Sequence, residues 1–222
     1  MNLVIFDIDG TLTDTTQVDE HAIVGALQDV LGVTDLSTDW SDYEHSTDSG
    51  IVNEVIVRSH GTTPPTILQN VQARFFEYME GFYTASPDLF RPMNGAEDIL
   101  RRVTSKGDAA AIATGSWRES ALFKLRVARI WHDGIPMATA DDSLSRSGII
   151  KKAIKDAVDV YHVEAFDSIT YVGDGVWDAR AGKNLGLRFI GLASNGTAER
   201  LRKVGVEEIC ASLEEVADKL GV

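Results

Sequence analysis

Residues 3–14 read LVIFDIDGTLTD, a short apolar run that stops at two acidic residues. The apolar part, Leu3 to Phe6, is typical of a strand that is buried on both faces of a parallel sheet. Asp7 and Asp9 follow on a turn, where both carboxylates can point into one crevice. We therefore predict that this stretch opens an α/β fold and carries reactive groups at its carboxyl end.

Further apolar runs predict the other strands of the same sheet. Buried strands are indicated at residues 109–113, 169–172 and 189–192, and weaker candidates cover 135–138 and 208–210. Helical apolar spacing lies between them, at residues 96–105, 119–127, 149–160, 177–185, 197–204 and 213–220. This alternation predicts a Rossmann-like, doubly wound parallel sheet with helices on both faces. The polar residues that end the runs should gather at the carboxyl edge of the sheet: Asp7, Thr114, Asp141 and Asp174.

The segment from about Thr15 to Pro87 breaks this alternation and contains no convincing strand. Residues 18–31, 51–59 and 66–82 show helical apolar spacing instead, with polar clusters between them. We predict a small all-helical domain over residues 15–87, inserted just after the first strand. The α/β core then comprises residues 1–14 and 88–222.

Asp7 and Asp9 stand in the run Asp-Ile-Asp-Gly-Thr. Two carboxylates at this spacing allow one to attack as a nucleophile while the other transfers protons. The alternative is a turn in which aspartates cap their own backbone. Their place directly after an apolar strand favours the catalytic interpretation.

Two later strand ends carry candidate ligands. Thr114 and Gly115 stand between a strand and a helix, where a hydroxyl and free main-chain amides can cradle a phosphate. A plain helix cap would show the same pattern. Asp174 and Asp178 follow another strand, and together with Asp7 they offer the oxygen ligands that Mg²⁺ prefers. A turn residue and a first-turn helix acid are the alternative reading of that pair.

These features, in this order, resemble the motifs of the haloacid dehalogenase-like superfamily. Those motifs are Asp-x-Asp-x-Thr, a strand-ending Thr or Ser, a Lys or Arg, and Gly-Asp-x-x-x-Asp. The resemblance covers residues 1–14 and about 88–222, and its nearest type is phosphoglycolate phosphatase-like. The helical insert stands where that superfamily carries its first-type cap, and residues 15–87 are called the cap below.

The resemblance implies a role for each matched position. Asp7 would attack phosphorus and become an aspartyl-phosphate. Asp9 would protonate the leaving alcohol and then activate water. Thr11 would help to hold the loop of the phosphate site, while Thr114 and the amide of Gly115 would bind the transferring phosphoryl group.

The resemblance also implies a Mg²⁺ cofactor. The ion would be held by Asp7, the main-chain carbonyl of Asp9 and Asp174, with Asp178 as a ligand or a water-mediated support. Its charge would neutralise phosphoryl oxygens during both steps of the hydrolysis.

The basic residue of the third motif has two candidates. Residues 145–152 offer Arg146 in the first turn of a helix, with Lys151 and Lys152 following later. Arg146 fits best by its offset from the apolar pair at 149–150, and Lys151 is the second choice. For Lys152, a solvated position on the helix is the better interpretation.

The cap should decide the substrate, and its polar stretch over residues 46–50 is the candidate contact. Thr47 and Asp48 are the predicted specificity residues, although an N-capped helix start explains them at least as well. Other cap residues fit exposed or core positions better than ligand contacts: Arg58, His60, Arg74, Phe75, Phe76, Tyr78, Phe82 and Tyr83.

Charge and composition limit the partners. The chain has 222 residues and a formal net charge of -13. Such a surface repels phosphate backbones and anionic membranes, so we expect a small phosphorylated metabolite and neither nucleic acid nor membrane. Cys210 is the single cysteine, which excludes an intrachain disulfide. No signal-like or spanning apolar run is seen, and we expect a cytoplasmic monomer or homodimer.

The function predicted from these residues is Mg²⁺-dependent hydrolysis of a small phosphomonoester. A phosphomutase of the same fold shares every core motif and would differ in its cap residues. A catalytically inert regulatory relative would be expected to lose a carboxylate, but Asp7, Asp9, Asp174 and Asp178 are all present.

Overall fold

The computed structural model describes residues 1–131, 133–193 and 197–222, and in this part of the chain a parallel sheet separates two helical layers. Its strands are β1 (Leu3–Phe6), β2 (Ala109–Ala113), β3 (Met137–Ala138), β4 (Ile169–Gly173), β5 (Arg188–Leu192) and β6 (Ile209–Cys210). Their order across the sheet is β3-β2-β1-β4-β5-β6, and every neighbouring pair is parallel. The predicted α/β class is confirmed.

Helices connect the strands and form the cap. In chain order they are α1 (Thr16–Leu31), α2 (Asp48–His60), α3 (Pro65–Ala85), α4 (Ala96–Ser105), α5 (Arg118–Val127), α6 (Arg146–Tyr161), α7 (Val176–Asn184), α8 (Ala198–Lys203) and α9 (Leu213–Leu220). Short 3₁₀ turns cover Trp40–Asp42 and Pro87–Phe90. Within the described ranges, no helix has both the length and the apolarity needed to cross a membrane.

β1 shows why an unbroken apolar run indicates a central strand. Successive side chains of a strand point to opposite faces of the sheet. Val4 and Phe6 pack in one hydrophobic cluster with α4, α5 and α9, while Leu3 and Ile5 pack in another with α6. Because both faces are covered, the strand has no solvent-facing side, and the first acidic residue stands where the strand ends.

Some helices begin up to three residues before their apolar spacing does. The apolar spacing of α6 begins at Ile149, whereas the helix begins at Arg146, which agrees with the prediction that Arg146 lies in its first turn. The hydroxyl of Ser145 accepts a hydrogen bond from the amide of Gly148 and caps the helix there. This cap places Arg146 in the first turn of α6.

The cap contains α1, α2 and α3 and, over residues 15–87, which are all described, no strand. Its apolar residues share one hydrophobic cluster with aromatic residues of the core. The ring of Phe75 meets Trp117 edge-on with 5.2 Å between the centroids, and Phe76 meets Phe123 in the same way at 5.7 Å. These aromatic contacts therefore hold the cap against α5 and the residue before it. The domain boundaries themselves stay a prediction.

Candidate active site

Three neighbouring strands end at one place and bring predicted residues together. β1 lies between β2 and β4, and parallel strands direct their carboxyl ends to one edge of the sheet. Asp7, Thr114 and Asp174 are the first residues after β1, β2 and β4. All three line one cavity between the sheet edge and the cap.

Asp7 lines this cavity with only 3% of its surface exposed. Nη1 of Arg146 donates to Oδ1 of Asp7 at 3.0 Å, and Nε of the same guanidinium lies 3.3 Å from Oδ1 of Asp178. Burial raises the pKa of Asp7 to about 8, although the charge of Arg146 opposes that rise. The planar guanidinium of Arg146 thus stands between two carboxylates.

Three carboxylates meet beside Arg146. Oxygen atoms of Asp7, Asp174 and Asp178 lie within 4.8 Å of one another. Burial, and then the charges of the other two, raise the pKa of Asp174 well above its ordinary value. A cation would offset this repulsion, and carboxylate oxygens are ligands that Mg²⁺ prefers. The residues present therefore fit a hard divalent cation.

Asp178 is fully buried and is oriented by its neighbours. The hydroxyl of Tyr171 donates to its Oδ1 at 2.8 Å, and the amide of Gly175 donates to its Oδ2 at 3.1 Å. Both oxygens are already hydrogen-bonded, which favours a supporting role behind a metal over direct ligation. Asp174 instead lies against Gly10, where a methyl group would stand 2.2 Å from Oδ2 of Asp174.

The loop after β2 forms a second wall of the cavity. Oγ1 of Thr114 accepts a hydrogen bond from the amide of Ser116 at 3.2 Å. A methyl group at Gly115 would lie 2.5 Å from Nη2 of Arg146, so the absence of a side chain leaves room for the guanidinium. The hydroxyl of Thr114, the main chain of Gly115 and the guanidinium of Arg146 thus border the same space.

Asp9 has surroundings unlike those of Asp7. The hydroxyl of Thr15 donates to its Oδ1 at 2.6 Å, and the hydroxyl of Ser116 donates to its Oδ2 at 2.7 Å. Nζ of Lys124 lies 2.8 Å from each carboxylate oxygen. Burial opposes ionisation, but Lys124 and the two hydroxyls outweigh it and hold the pKa of Asp9 below its ordinary value. Two carboxylates whose pKa values are shifted in opposite directions are typical of an acid–base site with separate roles.

Comparison with known proteins decides the family. A sequence profile described as haloacid dehalogenase-like hydrolase matches residues 4–192, which is most of the chain. The chain belongs to the haloacid dehalogenase-like hydrolase family. The resemblance seen in the motifs is confirmed. Among curated protein sequences, none matches this chain significantly.

Several solved structures share the fold of this chain. A hydrolase from Pseudomonas syringae aligns with a TM-score of 0.72 at 18% identity, covering 100% of this chain and 98% of its own. CbbY from Rhodobacter sphaeroides in complex with phosphate aligns with a TM-score of 0.68 at 18% identity, covering 96% of this chain and 95% of its own. A candidate beta-phosphoglucomutase from Bacteroides vulgatus aligns with a TM-score of 0.69 at 17% identity, covering 100% of this chain and 88% of its own. Likeness at these identities establishes the fold.

The two predicted specificity residues reach the haloacid dehalogenase-like site at the start of α2. Thr47 caps α2 and donates its hydroxyl to the carbonyl of Leu144 at 2.7 Å. Asp48 donates its amide to the carbonyl of Gly115 at 2.8 Å, and its Oδ2 accepts from the amide of Trp117 at 2.9 Å. Both residues line the cavity. They therefore act as a helix start and as a link between cap and core.

The cavity lies between the carboxyl edge of the sheet and the cap. On its cap side the ionisable groups are acidic, namely Asp19, Glu20 and Asp48. Trp40 adds an aromatic face. Among the described residues that line the cavity, Arg146 is the only basic one.

Two residues predicted to bind phosphate do not line the cavity. Thr11 is fully buried, and its hydroxyl has no hydrogen-bond partner within the described residues. Lys151 is exposed, because α6 buries Ile149 and Ile150 against the sheet and the next position of the helix faces outward. Of the two candidates for the basic motif, the structure brings only Arg146 to the site. Three basic cap residues are also outside the lining: Arg58 and His60, which are exposed, and Arg74, which is half-buried.

Sequence reasoning missed Lys124, Asp19 and Ser116. Lys124 lies on the buried face of α5 beside Ala121 and Leu125, so a charged residue in an apolar stripe was the available signal. Asp19 offered no such local signal, since its partner Lys124 is 105 positions away in the chain.

Proposed function

We propose that the chain hydrolyses a small phosphomonoester through an aspartyl-phosphate on Asp7, with Mg²⁺ as its cofactor. The observation that carries this proposal is one shared cavity, which Asp7 and Asp9 line together with Thr114, Gly115 and Arg146. A nucleophile, a proton-transfer group and phosphoryl-binding groups therefore face the same space.

In the first step, an oxygen of Asp7 attacks phosphorus and the bond from phosphorus to the ester oxygen breaks. Asp9 enters this step protonated, with the proton that it took from water in the preceding turnover, and gives it to the leaving oxygen, so that a neutral alcohol departs. We assign to Arg146, the hydroxyl of Thr114 and the amide of Gly115 the role of receiving the charge of the phosphoryl oxygens.

In the second step, water attacks the phosphorus of the aspartyl-phosphate and gives a proton to Asp9. The bond from phosphorus to Asp7 breaks, which releases inorganic phosphate and restores the Asp7 carboxylate. The contacts that hold Asp9 in its ionised form, from Lys124, Ser116 and Thr15, favour its role as the base of this step.

The groups that we propose for Mg²⁺ are the carboxylates of Asp7 and Asp174 and the main-chain carbonyl of Asp9, with Asp178 held behind them. When bound, the ion supplies positive charge that favours the ionised form of Asp7 and neutralises phosphoryl oxygens. The close approach of three carboxylates within 4.8 Å supports this assignment.

Hydrolysis of p-nitrophenyl phosphate tests the proposal. We expect turnover with Mg²⁺, none with EDTA, and a loss of about 10³-fold or more in Asp7→Asn. Asp159→Asn, the same change at an exposed position of α6, should match the unaltered chain. Full activity in EDTA or in Asp7→Asn would contradict the proposal.

A further inference from the structure

Lys124 carries a buried charge to which the two steps above assign no contact with the substrate. Its side chain has an exposed fraction of 0%. Nζ donates to Oδ2 of Asp9 at 2.8 Å, to Oγ of Ser116 at 2.9 Å and to Oδ1 of Asp19. All three N–H groups of the ammonium are thus used. Burying such a charge is costly unless every donor is paired, so its partners indicate why a lysine stands at this position.

The partners of Lys124 come from different parts of the fold. Asp9 belongs to the loop after β1, Ser116 to the loop after β2, and Asp19 to α1, the first helix of the cap. Asp9 and Asp19 both line the cavity. Lys124 therefore joins a cap helix to the carboxylate that transfers protons.

The contacts fix the plane of the Asp9 carboxylate. Lys124 lies 2.8 Å from both of its oxygens, Thr15 donates to one oxygen and Ser116 to the other. Proton transfer requires a heavy-atom approach of about 2.6–3.2 Å, so the orientation of a general acid matters as much as its presence. Without Lys124, Asp9 and Asp19 would face each other as like charges, and Asp9 would turn away.

We propose that Lys124 is a positioning residue: held between Asp9 and Asp19, it orients the Asp9 carboxylate toward the leaving oxygen. This inference rests on the proposed phosphatase function. Lys124 makes no contact with substrate in this scheme, so its whole effect passes through Asp9. Removing it should therefore reproduce the loss of Asp9 and add nothing to that loss.

Two esters that differ in their need for a proton test this role. p-Nitrophenolate is a stable anion and leaves unprotonated, whereas the benzyl alkoxide of benzyl phosphate needs a proton as it leaves. The ratio kcat/KM reports the step in which the leaving group departs. A role that is merely structural would lower kcat/KM for both esters alike.

We expect Lys124→Met to lower kcat/KM for benzyl phosphate by about 10²-fold or more, the range of general acid catalysis, and to lower it much less for p-nitrophenyl phosphate. Asp9→Asn should show the same difference between the two esters, and the double variant should lose no more kcat/KM than Asp9→Asn alone. Asp19→Asn, which keeps the lysine, should show a smaller difference between the esters. Lys155→Met, the same change at an exposed position of α6, should leave both esters unaffected.

The outcomes separate this role from the proposed function. If the unaltered chain turns over neither ester with Mg²⁺, the phosphatase proposal and the role of Lys124 both fail. If the unaltered chain is active but Lys124→Met lowers kcat/KM equally for both esters, only the role of Lys124 is overturned. The same holds if the loss of kcat/KM in Lys124→Met adds to that in Asp9→Asn. Circular dichroism establishes that each variant is folded. Should Lys124→Met not fold, Asp19→Asn decides, because an unchanged ratio between the esters there would overturn the role.

Discussion

Arg146 enters the cavity past Gly115, in a space too small for one additional methyl group. Such a group would lie 2.5 Å from Nη2 of Arg146, while Nη1 of the same side chain donates to Asp7 at 3.0 Å. The guanidinium also reaches the carbonyl of Ser46 at 3.3 Å. At the scale of single residues, the position of the Arg146 guanidinium therefore depends on the absence of a side chain at Gly115 as well as on its own hydrogen bonds.

This close approach predicts the effect of Gly115→Ala. The added methyl group should displace the guanidinium and lower kcat/KM for p-nitrophenyl phosphate by about 10²-fold, since a misplacement of about 1 Å can cost that much. Gly81→Ala in α3 is the control, because a methyl group there meets nothing within 4 Å. It should keep full activity and raise the free energy of unfolding by about 0.5–1 kcal/mol. Equal activities of the two variants would contradict the prediction.

At the scale of elements, α1 and α2 give the cavity an acidic cap wall. Asp19 and Glu20 come from α1, and Asp48 comes from the first turn of α2. Of these, Asp19 is already paired with Lys124. A leaving group that carries a carboxylate would meet this wall without a basic partner among the described cap residues of the lining.

We therefore expect an uncharged leaving group to be preferred. In a comparison of glycerol phosphate with phosphoglycolate, kcat/KM should be at least about tenfold higher for the uncharged alcohol, which corresponds to about 1.4 kcal/mol. Glu20→Gln should narrow this ratio, because it removes one negative charge from the wall. A preference for phosphoglycolate in the unaltered chain would refute this expectation.

At the scale of the whole molecule, the site concentrates buried charge in an otherwise ordinary α/β core. Burial raises the pKa of Asp7 to about 8 and, despite Lys124, the pKa of Asp19 to about 6. Asp9 is shifted the other way, mainly by Lys124 acting against burial. The fold therefore holds carboxylates that are more stable when protonated, and their ionised forms depend on cations for compensation.

Stability should consequently depend on pH and on metal together. The pKa of Asp7 rises from 3.8 to about 8 on folding, so the folded chain binds this proton more tightly and its stability falls as the pH rises through that range. Urea unfolding in EDTA should give a lower free energy of unfolding at pH 8 than at pH 5.5. Mg²⁺ should increase the free energy of unfolding more at pH 8 than at pH 5.5, because fewer protons compete for Asp7 at pH 8.

Asp7→Asn removes one of the carboxylates whose pKa is raised and serves as the control for this dependence. In that variant the difference between pH 5.5 and pH 8 should shrink, and the stabilisation by Mg²⁺ should largely disappear. A free energy of unfolding in EDTA that stays level or rises toward pH 8 in the unaltered chain would contradict the assignment. The lowered pKa of Asp9 changes stability in the opposite direction, because its contribution to the free energy of unfolding is lost as the pH falls below 3.8.

Local pattern predicted the sheet and its reactive edge with few errors. The strand that ends at Asp7 and the strand that ends at Asp174 were recognisable because parallel strands buried on both faces are apolar throughout and stop at a polar residue. The apolar spacing of α6 begins three residues after the helix does, since hydrophobic spacing marks the buried face of a helix, whereas the hydrogen bond of Ser145 marks its first turn. The roles of Thr47 and Asp48 toward a substrate stay a prediction.

The sequence by itself determined the α/β class, the family, and the acidic residues after β1 and β4, because each of these depends on residues close together in the chain. The offset from the apolar pair at 149–150 already favoured Arg146 over Lys151. Only the tertiary structure decided that Arg146 meets Asp7, and that Lys124 meets Asp9 across 115 positions. A long side chain can reach several places from its own backbone. Which place it reaches is set by the packing of helices against the sheet and the cap, and no local pattern records that packing.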